Sequence, residues 1–326
     1  MSIKTYAMAI RDVLAEEMRR DEKVFIMGED IEILGGVFGC TRDLYKEFGT
    51  ERVRNAPISE CAQIGGALGA ACAGMRPIVD LMYMDFSLVA ADQILNQVAK
   101  THFIFGGKAK IPLVIRGQEG IGRGNAATHS QSLETIFMHV PGIKVCCAST
   151  GADAAGLLRS AIREDNPVML FEHKALYAKK FEVPDDPDFM VPLGKADIKR
   201  EGKDVTIVAT MLYVHKALEA AEELAKMGIE AEIVDPRSLV PLDIDTIANS
   251  VKKTGRLVIA HEAHKTAGWG AEVEAQVVEG SFPYLDAAPI RLGAKACPLP
   301  FNLGLENCIV PSVKDIVDAC KAVCNK

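Results

Sequence analysis

The chain has no CxxC pair, no run of lysines and arginines longer than two, and no apolar stretch long enough to cross a bilayer. Each absence removes a class of function. Nine cysteines without CxxC spacing, among them the adjacent Cys146 and Cys147 and the helically spaced Cys320 and Cys324, favour free thiols over a disulfide framework or a metal site. A formal net charge of -7 without basic runs argues against nucleic acid and anionic membranes as partners. The opening MSIKTYAMAIRDVLAEEMRRDEK reads as a charged amphipathic helix rather than a secretion signal, so the expected location is cytoplasmic. Neither GxGxxG nor GxxxxGKS/T occurs, which leaves no dinucleotide fingerprint and no Walker loop.

What is present is an apolar content of 49% over 326 residues, enough for a large core and more in keeping with two domains than one. The runs KVFIMGED, RPIVDLMY, IPLVIRG, IKVCCAS and PVMLFEH alternate with amphipathic stretches, the pattern of strands and helices in a parallel α/β sheet. Residues 177–194 carry three prolines and three aspartates without helical or strand periodicity, and the domain linker is expected there. Beyond it DVTIVAT, IEAEIVD, GRLVIAHE and PIRLGA read as strands of a second α/β unit. YVHKALEAAEELAKMG reads as a helix with a glycine stop, and SVKDIVDACKAVC as a closing helix capped by Ser312. The expected division is 1–180, a linker over 181–194, and 195–326.

The fragment NAPISECAQIGGALGAACAG sets one carboxylate, Glu60, before a run in which eleven of fourteen residues are Gly, Ala or Cys. Each helical glycine costs about 1 kcal/mol relative to alanine, so a helix here must gain from being thin, and what it gains is close packing. Two readings of Glu60 stay open: an acid favoured by the positive end of the helix, or a buried acid that needs a partner. The polar, Gly-rich RGQEGIGRGNAATHSQS contains His129, a loop histidine that could meet substrate, donate a proton or do neither. HEAH, His261 to His264, lacks the i, i+4 spacing of a helical metal pair and reads as solvent or interface residues.

MGEDIEILGGVFGCTRDLYKEFG, PISE, DQILNQVAK, FGGK, THSQS, PGIKV, AIREDNPV, EHKALY and VDPRSLVPLD follow one another along the chain. In that order, from about Tyr6 to Pro311, they resemble the β subunits of the thiamine diphosphate-dependent, decarboxylating component of 2-oxoacid dehydrogenase complexes. The resemblance implies a pyrimidine-binding, transketolase-like domain followed by a transketolase C-terminal domain. It implies that Glu60 hydrogen-bonds N1′ of the cofactor's aminopyrimidine and promotes loss of the proton from thiazolium C2. Phe86 matches the aromatic that packs on that ring, and Met82 is a neighbouring contact; both would otherwise be core residues. His129 matches the family's active-site histidine.

The family holds the cofactor's diphosphate through Mg²⁺ on a GDG motif, and this chain has no GDG. The resemblance therefore implies an α subunit that supplies the Mg²⁺ site, with the cofactor shared in an α2β2 heterotetramer. It also implies a lipoyl-bearing acyltransferase core, bound through the C-terminal domain, and a dihydrolipoyl dehydrogenase. Some members carry a structural potassium site, which maps to Leu113, Ala161, Ile162, Glu164 and Asn166, with Glu164 where aspartate is usual. A plain helix end leading into a strand is the alternative there. The implied activity is oxidative decarboxylation of a small 2-oxo acid, pyruvate first, with reductive acyl transfer to lipoyl groups. Acetoin dehydrogenase is the runner-up, and a branched-chain 2-oxoacid dehydrogenase follows.

Overall fold

The structure is a computed structural model that describes residues 1–325. Two compact units emerge. One comprises Met1–Glu119 with Ile136–Leu193, and the other comprises Gly120–Thr135 with the chain from Gly194 on.

The first unit contains β1 (Ser2–Thr5), α1 (Tyr6–Arg20), β2 (Val24–Gly28), α2 (Leu44–Phe48), β3 (Val53–Asn55), α3 (Glu60–Cys72), β4 (Arg76–Tyr83), α4 (Ala99–Ile104) and β5 (Val114–Glu119). After a short helix α5 (Glu134–Met138) come β6 (Lys144–Ala148), α6 (Gly151–Arg163), β7 (Val168–His173) and β8 (Lys180–Val183). Its main strands run parallel in the order β6-β7-β5-β4-β2-β3. All six residues of β5 and of β7 are buried, because helices on both faces shield a parallel sheet and its strands need side chains that fit a core on either side. That is why IPLVI and PVMLF, where these strands begin, read as apolar runs.

The amino-terminal stretch is not helical throughout, as the sequence suggested. Residues 2–5 form β1, antiparallel to β8, and the helix begins at Tyr6, where the Thr5 side chain accepts the N–H of Met8. β8 itself lies in the stretch read as lacking periodicity. It spans four residues, of which Phe181 and Val183 are the more buried, and so short an alternation carries little signal.

The second unit contains β9 (Asp197–Arg200), β10 (Val205–Ala209), α7 (Leu212–Ala225), β11 (Ala231–Asp235), β12 (Ser238–Val240), α8 (Ile244–Thr254), β13 (Leu257–His264), α9 (Trp269–Ser281), β14 (Ile290–Ala294), α10 (Leu303–Ile309) and α11 (Val313–Val323). One sheet runs β14-β13-β10-β11-β9, parallel except for β9 at the edge. Ser312 caps α11 in a reciprocal pair with Asp315, which also removes two unpaired N–H groups at that end. His261, expected at solvent or an interface, is instead buried on β13 against Trp269, with Nδ1 on the carbonyl of Ala263. Burial pushes its pKa down to about 4. Among the described residues no helix is long and apolar enough to cross a membrane, and all nine cysteines are free thiols.

Candidate active site at the carboxyl ends of the first sheet

In parallel α/β sheets the loops beyond the carboxyl ends of the strands form the ligand crevice. Glu29 follows β2, Glu60 opens the helix after β3, and Met82 and Phe86 lie at and just beyond the end of β4. Glu60 is the first residue of α3, where the exposed amide ends favour a negative side chain. It is nearly buried, at 6% exposure, and its carboxylate has no hydrogen-bond or ion-pair partner among the described residues. An acid so placed is an acceptor or donor held for something outside the chain.

One turn further along, Gln63 turns its Nε2 to the Glu29 carboxylate at 3.1 Å and to the carbonyl of Pro57 at 3.3 Å. Burial raises the pKa of Glu29, the negative field of Glu60 adds to this, and the Gln63 bond opposes it. The two carboxylates thus lie within each other's field.

β4 ends in a register shift between Asp80 and Tyr83 against β5. Met82 adopts φ +64°, a strained value for a non-glycine residue, and the Asp80 carboxylate accepts its N–H at 3.0 Å. Phe86 sits in the 3₁₀ turn Met84–Leu88, half-buried, its ring 5.6 Å from that of Tyr83 and edge-on to it. The thiol of Cys61 donates to the carbonyl of Val89 at 3.0 Å, and a side chain at Gly65 would meet Gln93 Oε1. The first turns of α3 therefore rest on the segment that follows Phe86, and Glu60, Met82 and Phe86 share one end of the sheet.

Beneath them lies a network that sequence reading missed. Arg116 on β5 donates to both oxygens of Glu172 on β7, at 2.8 and 2.6 Å, and to Asp80 on β4; Tyr177 donates to Glu172 at 2.6 Å. Burial works against the Arg116 charge, and the Asp80 and Glu172 carboxylates outweigh it. A small cavity lined by Glu29, Phe38, Cys40, Asp80, Met82 and Arg116 adjoins this network. The signal was available, since an arginine and an aspartate within neighbouring strand patterns of a buried sheet must find each other.

His129 is on the 120–135 segment, which groups with the second unit. Its N–H donates to the carbonyl of Ala126 at 3.4 Å, and Nδ1 lies 3.0 Å from the hydroxyl of Thr128. At the end of α6 the residues mapped to a potassium site are engaged by protein donors. Arg76 donates to the carbonyls of Ile162 (2.9 Å) and Glu164 (2.7 Å). The carbonyls of Leu113 and Ala161 accept the N–H groups of Val168 and Glu164. The Glu164 carboxylate takes Lys144 at 2.5 Å and Asn166 at 2.9 Å.

Residues 3–180 match the model of the transketolase pyrimidine-binding domain, and residues 194–316 that of the transketolase C-terminal domain. The chain is 44% identical, over its full length and 71% of the relative's, to pyruvate dehydrogenase E1 component subunit beta of Rhizobium meliloti. It is 46% identical to the β subunit of acetoin:2,6-dichlorophenolindophenol oxidoreductase of Cupriavidus necator, covering 98% of this chain and 96% of that one. The chain belongs to the transketolase-like family of E1 β subunits. A further E1 β relative, the mitochondrial pyruvate dehydrogenase subunit of Bos taurus, is 43% identical, with 98% of this chain and 90% of that one covered. The solved structure of a split-gene transketolase, titled an inactive beta4 tetramer, superposes with a TM-score of 0.80 at 24% identity, covering 98% of each chain, which bears on the fold alone.

The cofactor of this family is thiamine diphosphate, and an E1 β subunit works with an α subunit inside a larger complex. The aminopyrimidine half fits what this E1 β chain offers: a nearly buried carboxylate without a partner among the described residues and a half-buried ring three residues beyond β4. The diphosphate half finds no GDG in the sequence.

Proposed function

We propose that this chain is the β subunit of a thiamine diphosphate-dependent pyruvate dehydrogenase, carrying out oxidative decarboxylation and reductive acyl transfer to lipoyl groups. The observation that carries the reading is the buried carboxylate of Glu60 at the head of α3, without a partner among the described residues. Thiamine diphosphate, when bound, supplies a thiazolium carbon that adds to a keto carbon and accepts the electron pair of the bond that breaks. Glu60 holds and passes a proton at the aminopyrimidine N1′. Phe86 and Met82 bound the pyrimidine ring, and the Asp80 carboxylate fixes the backbone of Met82. His129 serves a later step, donating a hydrogen bond or proton as the acyl group is transferred.

The chain divides functionally into 1–180 and 195–326, joined by 181–194. An α subunit completes an α2β2 heterotetramer and brings the Mg²⁺ and diphosphate ligands, and the C-terminal domain docks on a lipoyl acyltransferase core. The corner 161–166 carries the potassium site mapped to Leu113, Ala161, Ile162, Glu164 and Asn166, or is a plain helix end braced by Arg76, whose guanidinium takes the carbonyls of Ile162 and Glu164. Acetoin dehydrogenase is the second reading, favoured by the 46% identity to the Cupriavidus necator subunit over 96% of its length. Co-expression with an α chain that carries GDG, and turnover with pyruvate, acetoin and branched-chain 2-oxo acids, tests the substrate. Preference for acetoin replaces the first reading by the second, and no turnover with any of the three overturns both.

A further inference from the structure

The 120–131 segment leaves the β-ladder and adopts a backbone that needs outside support. Gly120, Gly122, Gly124 and Ala126 all have positive φ, at +88°, +110°, +62° and +64°. A backbone bond from Gly120 N–H to the carbonyl of Gln131 at 3.2 Å closes the loop on itself. Its remaining supports come from far along the chain, within the second unit.

The N–H of Ile121 donates to Glu262 Oε1 at 2.6 Å, and the next N–H, that of Gly122, donates to Glu306 Oε2 at 2.9 Å. Two consecutive amides are thus gripped by two carboxylates, one on β13 and one on α10. The Ile121 side chain inserts among Ala294, Leu299 and Val310, and a Cβ at Gly124 would lie 2.6 Å from the carbonyl of Phe301. Glu306 is fully buried, and the bond to Gly122 is the one its carboxylate makes among the described residues. A buried carboxylate with a single hydrogen bond is a net expense to the fold, so its placement calls for a return elsewhere. Hydrogen bonds to an ionised acceptor are the stronger kind and fix direction as well as distance. What they fix here is the start of the loop that, seven residues after Gly122, presents His129.

We propose that Glu262 and Glu306 are positioning residues for His129, holding the 120–131 backbone so that the imidazole stays in register with the reaction. This rests on the role given to His129 under the proposed function. A displacement of about 1 Å at a reacting group can lower turnover by about 10²-fold, so loss of the grip is expected to lower acyl transfer by roughly 10- to 100-fold while leaving cofactor affinity unchanged.

The test uses Glu306→Ala, Glu306→Asp and Glu306→Gln. Aspartate keeps charge and burial but draws the carboxylate back from the Gly122 amide, and it serves if the alanine variant does not fold. Glutamine keeps an oxygen at the same reach. Amide hydrogen exchange over 120–135 is read on the full chain, and turnover on the assembled enzyme. Expected are exchange at least tenfold faster and reduced turnover in the Asp and Ala variants, near-normal behaviour in Gln, and no further loss when either change is added to His129→Ala. Unchanged exchange in Glu306→Asp, or losses that multiply with that of His129→Ala, overturn the proposal while leaving His129 its role. Wild-type turnover in His129→Ala removes that role, and the positioning assignment falls with it.

Discussion

Gln63 Nε2 donates to the Glu29 carboxylate at 3.1 Å, one helical turn beyond Glu60. The amide tethers a second acid near the first, and the pKa of Glu29 is raised by burial and then by the charge of Glu60. At this end of the sheet the protonated form of Glu29 is favoured.

Glu60→Gln keeps the shape of the side chain and loses the proton that a carboxyl can pass. Turnover of the assembled enzyme is expected to fall by about 10²- to 10⁴-fold, with assembly intact. Proton exchange at thiazolium C2, followed by NMR, should slow in parallel, and a wild-type exchange rate removes Glu60 from the activating role.

The chain has no GDG, and the E1 β subunit on its own is expected to bind thiamine diphosphate weakly and to turn over no substrate. Calorimetry on the purified chain checks this. Micromolar, Mg²⁺-dependent binding without an α subunit contradicts the division of the site between two chains.

His129→Ala should spare C2 exchange and impair the later transfer, so the two variants separate. Single-turnover assays with an artificial electron acceptor, compared with transfer to a lipoyl domain, distinguish the steps. Equal loss in both assays argues for a role before the acyl group forms.

Arg76 donates to the Ile162 and Glu164 carbonyls and to Asp165 at 3.1 Å. With Arg76 as the brace, replacing potassium by sodium should leave the unfolding midpoint and turnover unchanged, whereas Arg76→Met should lower stability. A potassium requirement in the unmodified protein would decide for the ion site over the plain helix end.

His261 is held neutral by burial, with its pKa lowered from 6.5 to about 4. Between those values the unfolded chain takes up a proton that the folded chain refuses. Stability present above about pH 6.5 is therefore lost as the pH falls toward 4, by about 3 kcal/mol in all. His261→Phe, which can still pack on Trp269, should flatten the unfolding free energy across that window. An identical slope in both proteins would show that His261 is not the group responsible.

The strands of both sheets were legible because burial on two faces leaves short apolar runs, as in Val168–Phe171 and Leu257–Ala260. Helix ends were legible too, where Gly228 at φ +74° follows α7 and Ser312 caps α11. The pairing of β1 with β8 was not, since four residues at an edge meet partners more than 170 positions away. Of the site, Glu60 stood out through the small residues behind it. Glu262 and Glu306 did not, because a glutamate on a strand or a short helix ordinarily reads as a solvated charge. Only the fold brings them to amides 141 and 184 positions earlier. His261 was misjudged for the converse reason, because a neutral imidazole can be buried once its Nδ1 has a carbonyl.

Gly66 and Gly69 of α3 have open space where a Cβ would stand. Nothing in this chain requires them to be glycine, although each weakens the helix by about 1 kcal/mol relative to alanine. Folding and association are expected to pull the same two positions in opposite directions. Gly69→Ala should raise the unfolding midpoint of the solitary subunit, yet lower its affinity for the neighbour that the thin helix admits. Titrating subunit assembly beside thermal unfolding reads both signs. A change of the same sign in both would mean that the helix face is not a contact surface at all.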